Sequence, residues 1–132
     1  MQKRPRLACL ALLAGAVPFA AAAAAARTGA LANVAGGLWE VSRSASGAGA
    51  VRQCVANPAA LAQWEHRGNA CTRLILSDKG SEMVIHYTCP AGDFGRSRLT
   101  VITPRSLRIE TQGIHGGGPF FYNLYARRVG NC

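Results

Sequence analysis

Four cysteines constrain the fold of this chain more than any other feature of its sequence. Cys54, Cys71, Cys89 and Cys132 lie 17, 18 and 43 positions apart. A structural zinc site needs clustered Cys/His spacing such as Cys-x-x-Cys, and covalent haem needs Cys-x-x-Cys-His; neither pattern is present. The fifth cysteine, Cys9, lies in the N-terminal segment that we predict to be removed. An even number of cysteines in the remaining small exported domain predicts disulfides instead, and four cysteines allow three pairings.

The argument for export comes from the N-terminus. Three basic residues are followed by the apolar run 7–17 and by the alanine tract 20–26; the basic residues are Lys3, Arg4 and Arg6. This order is typical of a secretory signal peptide. A membrane anchor is the alternative, but a spanning helix needs about 20 strongly apolar residues. We therefore predict cleavage before Arg27, a periplasmic or secreted protein, and no transmembrane segment in the mature chain.

Removal of residues 1–26 leaves a loose, flexible lead-in over residues 27–35 and a single disulfide-linked β domain over residues 36–132. The chain has 15 Lys and Arg and 6 Asp and Glu; three bases leave with the leader, so the mature net charge is +6. Exported proteins meet few nucleic acids. The charge instead favours anionic lipids, acidic glycans or acidic proteins of the cell envelope as partners.

The mature sequence predicts strands almost throughout. Residues 106–112 show the pattern best, because Leu107, Ile109 and Thr111 alternate with polar residues, as in an antiparallel sheet packed on one face. Asn57 and Pro58 predict the start of one short helix ending near His66. The predicted fold class is mainly β: an antiparallel, strongly curved sheet or partial barrel of six to seven strands, one short helix and two disulfides.

The hairpin that spans residues 71–89 predicts the disulfide pairing. A three-residue loop, Lys79 to Ser81, aligns residues whose numbers sum to 160, so Cys71 faces Cys89 and Ile75 faces Ile85; Leu76 would then face Val84. A two-residue loop would place Cys71 opposite Thr88 instead. The first register matches apolar residues across the strands and brings the cysteines to bonding distance. Elimination then pairs Cys54 with Cys132.

The order of these motifs resembles a known family. Gly37-Leu38-Trp39-Glu40 stands near the mature N-terminus, Cys54-Val55 is followed by Pro58 and a helix, Cys71 and Cys89 follow, and Arg128-Val129-Gly130-Asn131-Cys132 closes the chain. This arrangement resembles the small exported proteobacterial proteins grouped as domain of unknown function 3617. The resemblance implies export, disulfides and an antiparallel β fold, and it implies no reaction.

No catalytic, metal or cofactor site is predicted. His115-Gly116-Gly117-Gly118 resembles the oxyanion-hole tetrad of some esterases, but the Gly-x-Ser-x-Gly elbow is missing, so a loop is the better interpretation. The other two imidazoles of the chain, His66 and His86, do not lie at helical spacing from each other or from His115. We therefore expect no enzyme, although an enzyme of unrecognised type stays as an alternative.

Two residue sets suggest binding instead. Arginines on the polar side of the C-terminal strands could hold phosphates or carboxylates; they are Arg96, Arg98, Arg108 and Arg127. Aromatic residues could line a pocket inside the curved sheet; they are Trp39, Phe120 and Tyr122. The first set predicts a non-enzymatic binding or interaction module for an anionic envelope component. The second predicts the alternative, a carrier of a lipid or small hydrophobic ligand.

Overall fold

The computed structural model describes residues 29–132, so the predicted signal peptide lies outside the described residues. Seven strands follow one another in the order β1 (Gly37–Ser42), β2 (Val51–Val55), β3 (Thr72–Lys79), β4 (Glu82–Thr88), β5 (Phe94–Thr103), β6 (Ser106–His115) and β7 (Gly118–Gly130). A 3-10 helix, Pro58–His66, separates β2 from β3.

All seven strands form one antiparallel sheet in the order β2-β1-β7-β6-β5-β4-β3. The sheet does not close, and β2 and β3 are its edges. The predicted fold class is therefore confirmed as mainly β and antiparallel, with one short helix and both disulfides, Cys54–Cys132 and Cys71–Cys89.

One face of the sheet carries the apolar core, because alternate residues along a strand point to the same side. Trp39, Ile85, Leu99, Ile109 and Leu124 supply it from five different strands, each at most 1% exposed. The helix packs on this face through Leu61 and Trp64. We call this the helix face and the opposite, polar side the outer face.

The helix begins as predicted. The Asn57 side chain accepts a hydrogen bond from Ala59 N at 3.0 Å, and Pro58 occupies the first turn, where its missing N–H costs nothing. The geometry is 3-10 with a kink at Gln63.

The 71–89 hairpin confirms half of the predicted register. Arg73 faces Tyr87 and Ile75 faces Ile85 as expected. Nearer the turn the prediction is wrong, because Ser77 and not Leu76 faces Val84. The register shifts at Leu76, and the turn between the strands has two residues, 80–81, instead of three. An extra residue on one strand of a ladder makes such a bulge, which period-two alternation does not reveal.

Two segments are more ordered than the sequence indicates. Gly116 and Gly117 adopt φ angles of +57° and +80°, which suit a tight two-residue hairpin, so β6 runs on to His115. In the predicted loose lead-in, Val34 is buried in the core and Ala30 N donates to Asp78 at 2.7 Å. The lead-in packs there because an apolar residue among its small ones reaches the core.

Candidate functional site

The four predicted arginines share the outer face. In the strand pairing, Arg96 faces His86 and Gln112, Arg98 faces Glu110, and Arg108 faces Tyr125; Arg127 faces Glu40. Residues paired in a ladder point to the same side, so the sheet brings the whole set together.

Acidic residues compensate much of this positive charge. Arg127 Nη2 lies 3.0 Å from Glu40 Oε2, and Arg52 Nη2 lies 2.8 Å from Glu40 Oε1. Arg98 lies 3.7 Å from Glu82 and Arg108 lies 3.4 Å from Glu110. The hydrogen bonds from Arg127 and Arg52 hold the pKa of Glu40 below its ordinary value of 4.5. The outer face is thus a mixed ionic surface with an excess of arginine.

A cavity of about 370 Å³ opens on this face beneath the β1–β2 loop. Arg108 and Arg127 border it together with apolar side chains of Ile102 and Tyr125. The loop is held by Ser42, whose Oγ donates to Ala48 O and accepts from Ser44 N at 2.9 Å. Two of the four arginines therefore stand beside apolar surface in a space large enough for a small ligand.

The three aromatic residues predicted to line a pocket do not surround one cavity, because Trp39 is buried apart from Phe120 and Tyr122. Trp39 is fully buried in the core, and its Nε1 has no hydrogen-bond partner among residues 29–132. Tyr122 borders a separate open cavity of about 350 Å³ together with Arg43 and Glu65. The Phe120 ring lies 5.8 Å from that of Tyr122.

A second cluster, on the helix face, unites acids and histidines. The Glu65 carboxylate accepts from the Tyr122 hydroxyl at 2.5 Å through one oxygen and contacts His115 Nδ1 at 2.9 Å through the other. One position along the helix, His66 Nε2 lies 3.4 Å from Asp93 Oδ2. We call Glu65, His66, Asp93 and His115 the acid–histidine cluster.

Two neutral tyrosine hydroxyls complete its surroundings. Burial, and secondarily the Glu65 charge, raises the pKa of Tyr87 to about 12. Burial and the Glu65 contact also raise the pKa of Tyr122. Burial by itself would raise the pKa of Glu65, but the hydrogen bonds from Tyr122 and His115 outweigh it, and the net pKa lies below 4.5. Glu65 is therefore a carboxylate held between the neutral phenol of Tyr122 and the imidazole of His115.

Tyr87 reaches this cluster because a glycine makes room for it. Gly95 faces Tyr87 across the β4–β5 ladder, and a Cβ on Gly95 would collide with the phenol ring. The ring lies over the glycine, and its hydroxyl reaches His66 Nδ1 at 3.0 Å.

The glycine segment after His115 has a structural role here. Gly116 N donates to both carboxylate oxygens of Asp93, at 3.1 and 3.2 Å. An oxyanion hole requires free backbone amides. This amide is instead used to orient a carboxylate of the cluster.

The sequence patterns did not predict the acid–histidine cluster. Its members come from the helix, from the β4–β5 loop and from the end of β6, and they are separated by up to 50 residues. No helical spacing links them, so only the pairing of β5 with β6 and the packing of the helix bring them together. An acid beside a histidine is also the pairing that general acid–base catalysis uses, so the enzyme alternative stays open.

No protein-family model, no curated protein and no solved structure matches this chain at a significant level. The resemblance to domain of unknown function 3617 therefore stays a prediction. In the part of the chain that the structure describes, helices with the length and apolarity to cross a membrane are lacking.

Proposed function

We propose that this protein is an exported, non-enzymatic binding module whose outer face takes an anionic amphiphile. The observation that carries the proposal is the cavity beneath the β1–β2 loop, which places Arg108 and Arg127 beside Ile102 and Tyr125. A charged head and a short apolar segment are the ligand features that such a lining complements.

The arginines supply the recognition of the head group. A guanidinium has five N–H donors, and Arg127 uses one nitrogen on Glu40 while Arg108 makes a loose contact of 3.4 Å with Glu110. Donors remain on both side chains for a phosphate or carboxylate, which arginine binds in two-pronged fashion. The side chains of Arg108 and Arg127 are 46% and 70% exposed, so an anion can approach them.

The two disulfides support an oxidising compartment outside the cytoplasm, where anionic lipids are abundant partners. The proposal differs from a carrier with its pocket inside the sheet, since Trp39 is sealed in the core. It shares a lipid ligand with that alternative but places the lipid on the outer face.

Titration calorimetry with a single-chain phospholipid tests the proposal. The probe is lysophosphatidic acid below its micellar concentration, and the phosphocholine lipid of the same chain length is the neutral comparison. We expect the anionic lipid to bind more tightly, and its affinity to fall as salt shortens the Debye length from about 8 Å at 0.15 M to about 3 Å at 1 M.

Three variants locate the site. Arg108→Ala or Arg127→Ala should weaken binding about tenfold, equal to ~1.4 kcal/mol. Glu40→Gln should strengthen it, because the carboxylate that competes for Arg127 is gone. Arg73→Ala is the matched control, since it removes the same charge from an exposed residue of β3. Equal binding of both lipids, or equal losses in Arg73→Ala and Arg108→Ala, would refute the proposal.

A further inference from the structure

We propose that His66, Asp93 and His115 form a binding site for a divalent transition-metal ion on the helix face. The site is independent of the arginine-lined cavity, which lies on the other side of the sheet. It also revises the sequence-based expectation that the protein has no metal site.

The three side chains converge as ligands would. One donor atom from each lies within 4.8 Å of the others, and the His66 and His115 rings are 4.6 Å apart between centroids. Metal bonds of about 2.0–2.1 Å at tetrahedral angles separate ligand atoms by roughly 3.3 Å. The 3.4 Å between His66 Nε2 and Asp93 Oδ2 fits this spacing. The half-exposed His115 side chain can close the remaining gap by a small shift that keeps its Nδ1 on the Glu65 carboxylate.

Second contacts orient both imidazoles for such a role. His115 Nδ1 is engaged by the Glu65 carboxylate at 2.9 Å and His66 Nδ1 by the Tyr87 hydroxyl at 3.0 Å. When Nδ1 of each ring carries the proton and donates to these oxygens, Nε2 is the nitrogen that is available to an ion. Metal-binding histidines almost always hold their other nitrogen on a carboxylate or a comparable polar group, which fixes the tautomer.

His66 Nε2 supplies an independent observation. The His66 side chain is completely buried, yet within residues 29–132 this nitrogen has no hydrogen-bond partner, because its approach to Asp93 is poorly aligned. Buried polar atoms are nearly always satisfied, and one left over calls for an explanation. An ion between His66 and Asp93 would satisfy it.

Hydrogen bonds and a disulfide hold the segments that carry the ligand residues. Asp93 O accepts from Cys89 N at 2.8 Å, so the Cys71–Cys89 disulfide anchors the loop that carries the carboxylate. Gly116 N fixes both oxygens of that carboxylate. Gln63 Nε2 donates to His66 O at 2.9 Å and holds the end of the helix. A site held by its scaffold needs little rearrangement to bind an ion.

Two imidazoles and one carboxylate form a donor set suited to Zn²⁺ and its neighbours Cu²⁺, Ni²⁺ and Fe²⁺ rather than to Ca²⁺ or Mg²⁺. The Asp93 and Glu65 carboxylates together balance the charge of a divalent ion. Three protein ligands leave a coordination position for water or for a donor from a partner, and His115 at 51% side-chain exposure keeps that position accessible.

Calorimetric titration of the oxidised, tag-free and chelator-treated protein with Zn²⁺ tests the inference. We expect one ion per chain. Co²⁺ in place of Zn²⁺ should give a visible absorption spectrum typical of nitrogen and oxygen ligands. His115→Ala should lower Zn²⁺ affinity at least tenfold, and so should Asp93→Asn, which can still accept from Gly116 N.

Glu65 acts as a positioning residue, so Glu65→Gln should weaken Zn²⁺ binding roughly 10- to 100-fold with an unchanged stoichiometry. His86→Ala is the matched control, because it removes the histidine of the outer face and should leave Zn²⁺ binding intact. Near-ultraviolet circular dichroism checks that each variant is folded.

No stoichiometric Zn²⁺ binding by the parent protein would overturn the inference. So would binding that survives in folded His115→Ala, or that falls equally in His86→Ala. The two proposals fail separately: Arg108→Ala should leave Zn²⁺ binding unchanged, and His115→Ala should leave lipid binding unchanged.

Discussion

Ser97 forms a buried hydrogen bond between the sheet and the helix. It is fully buried on β5, its Oγ donates to Ala62 O in the helix, and the same oxygen lies 2.8 Å from Thr111 Oγ1 on β6. One hydroxyl thus links three elements: the helix, β5 and β6. Because the helix carries Glu65 and His66, this bond also sets the height of the acid–histidine cluster above the sheet.

Ser97→Ala should therefore destabilise the protein by about 1–3 kcal/mol, since Ala62 O and Thr111 would be left buried without this partner. Urea unfolding measures the effect. Ser106→Ala is the control: its hydroxyl bonds Thr103 Oγ1 in an exposed turn, and its loss should cost much less. Equal costs for the two variants would contradict this role of Ser97.

At the scale of elements, Glu40 ties three strands together. It lies on β1 and binds Arg52 on β2 and Arg127 on β7, so one carboxylate spans the β2-β1-β7 end of the sheet. The order of these strands places the two ends of the domain side by side, and Cys54–Cys132 closes the same region covalently.

The pH dependence of stability should report this carboxylate. The folded pKa of Glu40 lies below its ordinary value of 4.5, so its contribution is complete above pH 4.5 and is lost as pH falls through the lower folded pKa. Wild-type protein should thus have a higher urea midpoint than Glu40→Gln at pH 7. The difference should shrink at pH 3; a difference independent of pH would exclude the ion pairs as its cause.

At the scale of the whole molecule, the two disulfides stabilise different parts of the open sheet. Cys71–Cys89 spans 18 residues and braces the loop before β5, whereas Cys54–Cys132 spans 78 and joins an edge strand to the C-terminus. Within residues 29–132, one short helix and the lead-in cover the apolar face of this open sheet, so covalent links matter for its stability.

Loss of the longer link should cost more. In the chain-entropy description, replacing Cys54 and Cys132 together by Ser removes up to about 4.5 kcal/mol, and replacing Cys71 and Cys89 together removes up to about 3 kcal/mol. Free energies of unfolding from urea titrations compare the two. A larger loss on removing Cys71–Cys89 would show that local bracing outweighs chain entropy.

The sequence by itself determined the class of fold. The alternation around Leu107 and Ile109 could belong only to a sheet with one buried face, and Asn57 with Pro58 marked the helix start. The apolar matches of Ile75 with Ile85 gave the register that pairs Cys71 with Cys89. These features are local in the chain or depend on one hairpin. The strand features follow from two-residue alternation, and the helix start follows from its capping residues. The placement of the four arginines on the outer face could be predicted because it also follows from two-residue alternation.

Only the tertiary structure decided which acids and histidines form the acid–histidine cluster. The Leu76 bulge shifts the register without changing composition, and the tight turn at Gly116 and Gly117 carries β6 on to His115. That extension and the docking of the helix bring His115 to Glu65, 50 residues away in sequence. Contacts between distant elements depend on packing in three dimensions, which the spacing of residues along the sequence does not reveal.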